Sequence, residues 1–137
     1  MTEQQARDWL SRGWKLDTEI NALLRAKQET WERLTAAVSV PGGGVQSTPD
    51  PHRFDRYAAF EGLIDEKVDA LVDVQKEVVT VISQVEDSAL RTLLLLRYTS
   101  FLPWDQIAEA MSYSLRRIMQ LHPRALAAAG AVIDSFS

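Results

Sequence analysis

The sequence predicts an all-α fold: a long antiparallel helical hairpin followed by a C-terminal tri-helical helix-turn-helix module. Two long segments repeat apolar residues at intervals of three to four, which is the spacing of one helix face. No segment alternates apolar and polar residues as strands joined by hairpin turns do. We therefore expect a hairpin over residues 1–85, with a flexible loop over 39–52, and a helix-turn-helix domain over 86–137.

The hairpin is predicted from two apolar stripes, over residues 16–38 and 57–85. Each helix should span on the order of 40 Å at the usual rise per residue. The 39–52 segment contains three glycines and three prolines, which break helices, so it should let the two stripes pack together as an antiparallel pair in coiled-coil fashion. Gly13 and Gly62 are positions where the helices are expected to bend or to approach closely.

Two short helices are predicted next. Asp87 or Ser88 can cap the first, because both side chains accept hydrogen bonds from backbone N–H groups, and this helix extends to Tyr98. Pro103 suits the first turn of the second helix, where its missing N–H has no intrahelical partner to lose. That helix should run to about Met111.

The last two helices have the pattern of a helix-turn-helix, with Ala108 as the small residue where they cross. Ser112 holds the turn position that glycine usually occupies, so it must accept a positive φ. Ser114 is the expected N-cap of the final helix, which begins near Leu115, and Pro123 predicts a kink or an early end. Five apolar side chains are expected to face inward: Ile107, Met111, Tyr113, Ile118 and Leu121.

Composition limits the classes of function. The chain contains no cysteine, which excludes disulfides, thiolate nucleophiles, zinc fingers and iron–sulfur ligation and suits a reducing cytosol. The first residues are polar and lack the apolar core of a signal peptide, and the longest apolar run is too short to cross a bilayer. We therefore expect a cytoplasmic protein with no membrane partner.

The charge is unevenly distributed. The net charge is −4, and residues 39–85 account for the excess with four basic and eight acidic side chains. Residues 91–127 carry five arginines and two acidic residues, a local charge of +3. Because binding follows the local field, this segment suits nucleic acid, with weak non-specific affinity.

The final helix carries the candidate DNA-binding residues Ser114, Arg116, Arg117, Gln120 and Arg124. Arginine and glutamine are the residue types that recognise phosphates and base edges in the major groove. Arg116 and Arg117 stand at a helix N-terminus, where the macrodipole disfavours cations, so a phosphate or base partner explains them better than solvation. For Arg124 the alternatives stay open: a backbone phosphate contact, or a favourably placed cation late in a helix.

Other chemistry is weakly indicated. His52 and His122 have no carboxylate at ligand spacing, so we expect no metal, and His122 is interpreted as a helix–helix or polar contact. Residues 42–44 are three glycines without a following Gly-Lys-Ser/Thr, and we interpret them as a loop. We also expect no cofactor and no enzymatic activity. The tryptophans are interpreted as core or hairpin-seam residues: Trp9, Trp14, Trp31 and Trp104.

The C-terminal segment resembles region 4 of bacterial sigma factors. The similar elements are Leu96-Arg97-Tyr98, Gln106-Ile107-Ala108, Tyr113-Ser114 and Arg124-Ala125-Leu126. The whole chain looks closer still to small phage-encoded proteins with sigma-like tails, often grouped with the ArpU-type late-gene transcriptional regulators.

The resemblance implies a phage or prophage transcription regulator that binds double-stranded DNA in a bacterial host, with host RNA polymerase as a partner. The long apolar stripes suggest a homodimer. The alternative is a non-enzymatic protein–protein interaction module, in which the acidic hairpin docks on a partner protein and the tail completes the fold.

Overall fold

The computed structural model describes residues 1–38 and 52–136, and the predicted all-α fold is confirmed in them. Apart from His52, the predicted 39–52 loop lies outside the described residues. No described helix is long and apolar enough to span a membrane. The helices are α1 (Glu3–Leu10), α2 (Arg12–Val38), α3 (Arg53–Ser83), α4 (Ser88–Tyr98), α5 (Trp104–Met111) and α6 (Leu115–Ser135).

The chain forms two compact units, one of Met1–Lys15 with Leu71–Ser137 and the other of Leu16–Ala70. The expected division after residue 85 therefore falls inside the first unit. The reason is that buried residues of α1 and of the end of α3 belong to the same apolar core as those of α4, α5 and α6.

In the Leu16–Ala70 unit, α2 and α3 run antiparallel, as the two apolar stripes predict. Contacts further along α2 reach positions further back in α3, which is the order of an antiparallel pair. Large apolar side chains on both helices stay exposed, among them Leu24 and Leu63. Three contacts define the order: Glu19 with Lys67 at 3.2 Å, Lys27 with Glu61 at 3.3 Å, and the ring of Trp31 with that of Tyr57 at 5.3 Å between centroids.

The core of the other unit joins the first helix of the chain to the last. Ala6 and Leu10 of α1 are fully buried, and α1 packs against α6. At Gly130 of α6 a Cβ atom would lie 3.6 Å from the Cβ of Ala6, so a small residue here allows a close approach of the two helices. The apolar cluster is completed by residues of α3 to α6, among which the largest fully buried side chains are Val78, Ile82, Leu93, Leu94, Ile107, Ile118 and Leu126.

The two glycines at which the helices were expected to bend or to approach closely, Gly13 and Gly62, have different surroundings. Gly13 is buried inside α2, where a Cβ atom would lie 3.4 Å from Cζ of Phe101 and 3.5 Å from Cδ1 of Leu71. This is the close approach that the sequence predicts, although the chain breaks at Ser11, between α1 and α2. At Gly62 the Cβ position has no described atom within 4 Å apart from the adjoining backbone of α3 and the two neighbouring residues, so no close approach of another helix is found there.

Helix boundaries agree with the predictions except at two prolines. Asp87 caps α4, with its Oδ1 accepting from the N–H groups of Ala89 and Leu90. Pro103 stands at the N-cap of α5, one position before the first turn in which it was expected. Of the two alternatives expected at Pro123, a kink or an early end, the early end does not occur, because α6 continues to Ser135. Proline removes one helical hydrogen bond, and the buried apolar face continues on both sides of it.

Candidate nucleic-acid interface

The turn between α5 and α6 is a Schellman motif built on a serine. Ser112 adopts φ 57° and ψ 37°, the left-handed conformation that the sequence requires of it. The N–H of Tyr113 donates to the Ala108 carbonyl at 3.0 Å, and the N–H of Ser112 donates to the Glu109 carbonyl at 3.2 Å. These two hydrogen bonds satisfy two of the last four carbonyls of α5 and fix the point from which α6 departs.

Ser114 begins α6 as predicted. Its backbone is extended, and its Oγ accepts a hydrogen bond from the N–H of Arg117 at 3.1 Å. This cap satisfies one of the backbone donors that the first turn of a helix leaves without an intrahelical partner. The side-chain cap therefore holds the first turn of α6 while the arginines extend from it.

The face of α6 with the predicted contacts is open to solvent. Arg116, Arg117, Gln120 and Arg124 are all exposed, and so is Ser114. Positions 116, 120 and 124 recur every four residues and thus share one side of the helix. The opposite side is buried in the core, through Ile118, Leu121, His122, Ala125 and Leu126.

Only three of the five arginines in residues 91–127 form the exposed cationic patch, because the other two bind backbone carbonyls. Arg91 donates to the Val85 carbonyl at 2.8 Å and to the Glu86 carbonyl at 2.9 Å, so its guanidinium is bound to the link between α3 and α4. Arg97 donates to the Leu102 carbonyl at 3.0 Å. Within residues 1–38 and 52–136, the three arginines of α6 have no carboxylate within ion-pair distance. Those three cations therefore form the patch.

One of the five side chains expected to face inward does not do so. Ile107, Ile118 and Leu121 are buried and Met111 is half-buried, but Tyr113 is 39% exposed. Tyr113 follows the left-handed residue, where the chain turns away from the core, so its side chain lies at the surface beside Ser114. The prediction for Tyr113 is wrong.

A polar cluster lies beneath α6, and the sequence indicated only one of its members, His122. The Tyr98 hydroxyl and Nε2 of His122 share a hydrogen bond at 2.7 Å, and both residues are buried. The rings of His122 and Trp104 pack edge to face with 4.5 Å between their centroids, and the guanidinium of Arg97 lies 4.1 Å from the centre of the Trp104 ring. The interpretation of His122 as a polar contact is confirmed.

The cluster is neutral at its centre. Burial, followed by the positive charges of Arg7 and Arg97, lowers the pKa of His122 to about 4. Burial also raises the pKa of Tyr98, against the opposing effect of the two guanidinium groups. His122 is therefore uncharged at neutral pH and Tyr98 keeps its proton, so the pair acts as an uncharged hydrogen-bonded contact between α4 and α6.

Metal ligation has no candidate in the described part of the chain, where no group of three or more histidine, aspartate or glutamate side chains is placed to hold an ion. No protein-family model, curated protein or solved structure matches the sequence. The resemblance to sigma region 4 therefore rests on the motifs of the C-terminal segment and remains a hypothesis.

Proposed function

We propose that the protein is a phage or prophage transcription regulator that binds duplex DNA through α6. One observation carries the proposal: Arg116, Arg117, Gln120 and Arg124 are exposed on a helix whose other side is fixed in the core. A helix held in this way can enter the major groove without rearrangement of the fold, because its contact side is already uncovered.

The residue types assign a role to each position. Arg116 and Arg117, in the first turn, suit bidentate contacts to guanine or contacts to phosphate, and Gln120 suits adenine. Arg124 lies two turns beyond Arg116 and suits a backbone phosphate. The Ser114 hydroxyl already accepts from the Arg117 N–H and keeps its own proton to donate to a phosphate oxygen.

Salt dependence of binding tests the proposal directly. A face with three arginines neutralises about three phosphates, so log affinity against log salt should fall with a slope of about −3 per bound chain on random duplex DNA. Fluorescence anisotropy with a labelled duplex measures this slope. A variant with Arg116, Arg117 and Arg124 all changed to glutamine should lose most of it, whereas Arg33→Gln, an exposed arginine on α2, should not.

The Leu16–Ala70 unit supports proposals about partners. Its helices leave large apolar side chains exposed, among them Leu24, Trp31, Leu63 and Val68. Such side chains suit an interface, and two-fold DNA sites are usually bound by dimers. We therefore propose a homodimer acting in the bacterial cytoplasm, with host RNA polymerase as a further partner by analogy with sigma region 4.

The same exposed side chains favour a second candidate function, a non-enzymatic protein–protein interaction module. In that case the acidic hairpin is the contact surface, and α4 to α6 complete the fold. No measurable affinity for any duplex at low salt would favour this module, while a steep salt slope that depends on the α6 arginines would favour the regulator.

A further inference from the structure

A cavity of about 470 Å³ lies beside α6, within the unit formed by the two ends of the chain. Its size is within the range of small-molecule sites. Side chains from four regions line it: Arg7 and Lys15 from the N-terminal helices, Arg97 from α4, Trp104 from α5 and His122 from α6. It is distinct from the exposed arginine face, because the buried side of α6 contributes His122.

The cavity is cationic. Arg7, Lys15 and Arg97 line it, and the lining residues, all within the described part of the chain, include no aspartate or glutamate. The nearest compensating charge is Glu3, whose carboxylate lies 3.8 Å from the Arg7 guanidinium. Nε of Arg7 is buried without a hydrogen-bond partner among the described residues, so this guanidinium keeps an unused donor. Three cations around one space favour an anionic occupant.

Aromatic rings form the other part of the lining. Trp104 is held by the Arg97 guanidinium and by the His122 ring. Trp14, interpreted from the sequence as a core or seam residue, is instead 53% exposed and lines the same cavity. An exposed indole beside a fixed one provides apolar surface for a flat ring, since aromatic side chains pack against each other in stacked or edge-to-face geometry.

We propose that this cavity binds a small aromatic anion, a compound that carries a flat ring system together with a carboxylate or a phosphate, joined directly or through a sugar. The ring packs against Trp14 and Trp104, and the anion is bound by Arg7, Lys15 and Arg97. Met119 and His122 bring α6 into the lining, so the ligand contacts the helix that also carries the exposed arginines. The site requires no DNA and is testable without it.

Binding is measured by isothermal titration with two probes, adenosine monophosphate and naphthoate, which separate the phosphate source from the carboxylate source. Adenosine, ribose phosphate and naphthalenemethanol lack either the anion or the ring. We expect at least one aromatic anion to saturate the protein with a Kd of about 1 mM or below, and each incomplete compound to bind about tenfold more weakly. No saturation by either aromatic anion up to about 10 mM, or equal affinity of the incomplete compounds, would overturn the proposal.

Matched variants locate the site. Lys15→Glu and Trp14→Ala should weaken binding by about tenfold, as expected for loss of a charged or stacking contact. Arg33→Glu and Trp31→Ala make the same kinds of change on exposed positions of the hairpin, outside the cavity, and should change the Kd less than about twofold. Equal loss in both sets would contradict the assignment.

A measurement on the unaltered protein covers the case in which a variant fails to fold. In nuclear magnetic resonance spectra the bound probe should shift the indole N–H signals of Trp14 and Trp104 and leave that of Trp31 in place. Shifts confined to Trp31, or equal across all four tryptophans, would overturn the site.

Discussion

The hydroxyl group of Tyr98 lies 2.7 Å from Nε2 of His122, and this hydrogen bond joins the last residue of α4 to the middle of α6. Both partners are buried, and neither is charged at neutral pH. A buried polar pair of this kind stabilises the fold only while both groups keep their hydrogen-bonding forms, so it links the position of the candidate DNA-binding helix to pH.

Lowering the pH should destabilise the fold through His122. Its folded pKa is about 4 against an ordinary value of 6.5, so between these pH values the unfolded chain takes up a proton that the folded chain does not. Stability is therefore fully present above pH 6.5 and falls as the pH drops toward 4, by on the order of 3 kcal/mol from this group. Denaturant unfolding at a series of pH values measures the loss.

Carboxylates titrate in part of the same pH range, so the contribution of His122 is measured by comparing the wild type with a variant that lacks this histidine. His122→Gln should remove most of the pH dependence above pH 5 while keeping a polar side chain against Tyr98. An identical pH profile in the wild type and in His122→Gln would contradict the assignment.

Replacement of Ser112 by glycine should stabilise the protein. A residue with a Cβ atom at φ 57° is strained by about 1 kcal/mol, and glycine relieves this at a partial entropic cost in the unfolded state. The expected net gain in the free energy of unfolding is about 0.5 kcal/mol. Ser11→Gly is the matched control, because Ser11 is at φ −80° and gains nothing; a larger gain there would refute the strain argument.

Gly62 is predicted to be replaceable by alanine with a gain in stability. The residue is exposed in the middle of α3, and its Cβ position is open. Alanine should raise the free energy of unfolding by roughly 0.5–1 kcal/mol through its helix propensity. Gly13→Val is the contrasting change, because its added atoms meet Phe101 and Leu71 and should lower stability. Thermal unfolding of both variants distinguishes these outcomes.

Arg116→Ala and Arg117→Ala should each weaken specific DNA binding by about 1–3 kcal/mol. Both side chains are exposed and contribute little to packing, so the thermal midpoint should remain nearly unchanged. Anisotropy titrations on a duplex selected from a random pool measure the affinity, with Arg33→Ala as the control. Unaltered affinity in both α6 variants would exclude this surface as the contact site.

The fold was predictable to the extent that local rules determine it. Helical periodicity identified the hairpin stripes. Capping chemistry identified Ser114 and limited the cap of α4 to Asp87 or Ser88, because both signals act within a few residues. The exposed arginine face of α6 followed from the same periodicity. Tyr113 was misplaced because the pattern of inward positions takes no account of where a left-handed residue redirects the chain.

The cavity could not be predicted from the sequence, because it is formed by tertiary packing. Arg7, Ser11, Trp14 and Lys15 recur at three- to four-residue intervals, so a cationic and aromatic face was present in the sequence. This face lines a cavity only together with Arg97 and His122, which lie far along the chain. The fold brings them to it, with α1 packed against α6. A local sequence pattern cannot predict this contact between distant parts of the chain.

The packing of α1 on α6 has a consequence for any attempt to isolate the candidate DNA-binding helices as a fragment. A fragment beginning at residue 86 would lack Ala6 and Leu10, which are fully buried. It would also lack the buried core side chains at the end of α3 and just after it, which are Val78, Val81, Ile82 and Val85. The exposed arginines would then stand on a helix with an uncovered apolar back. The helices α4 to α6 therefore depend on α1 and the end of α3 for their core, and we expect that they do not fold as an isolated fragment.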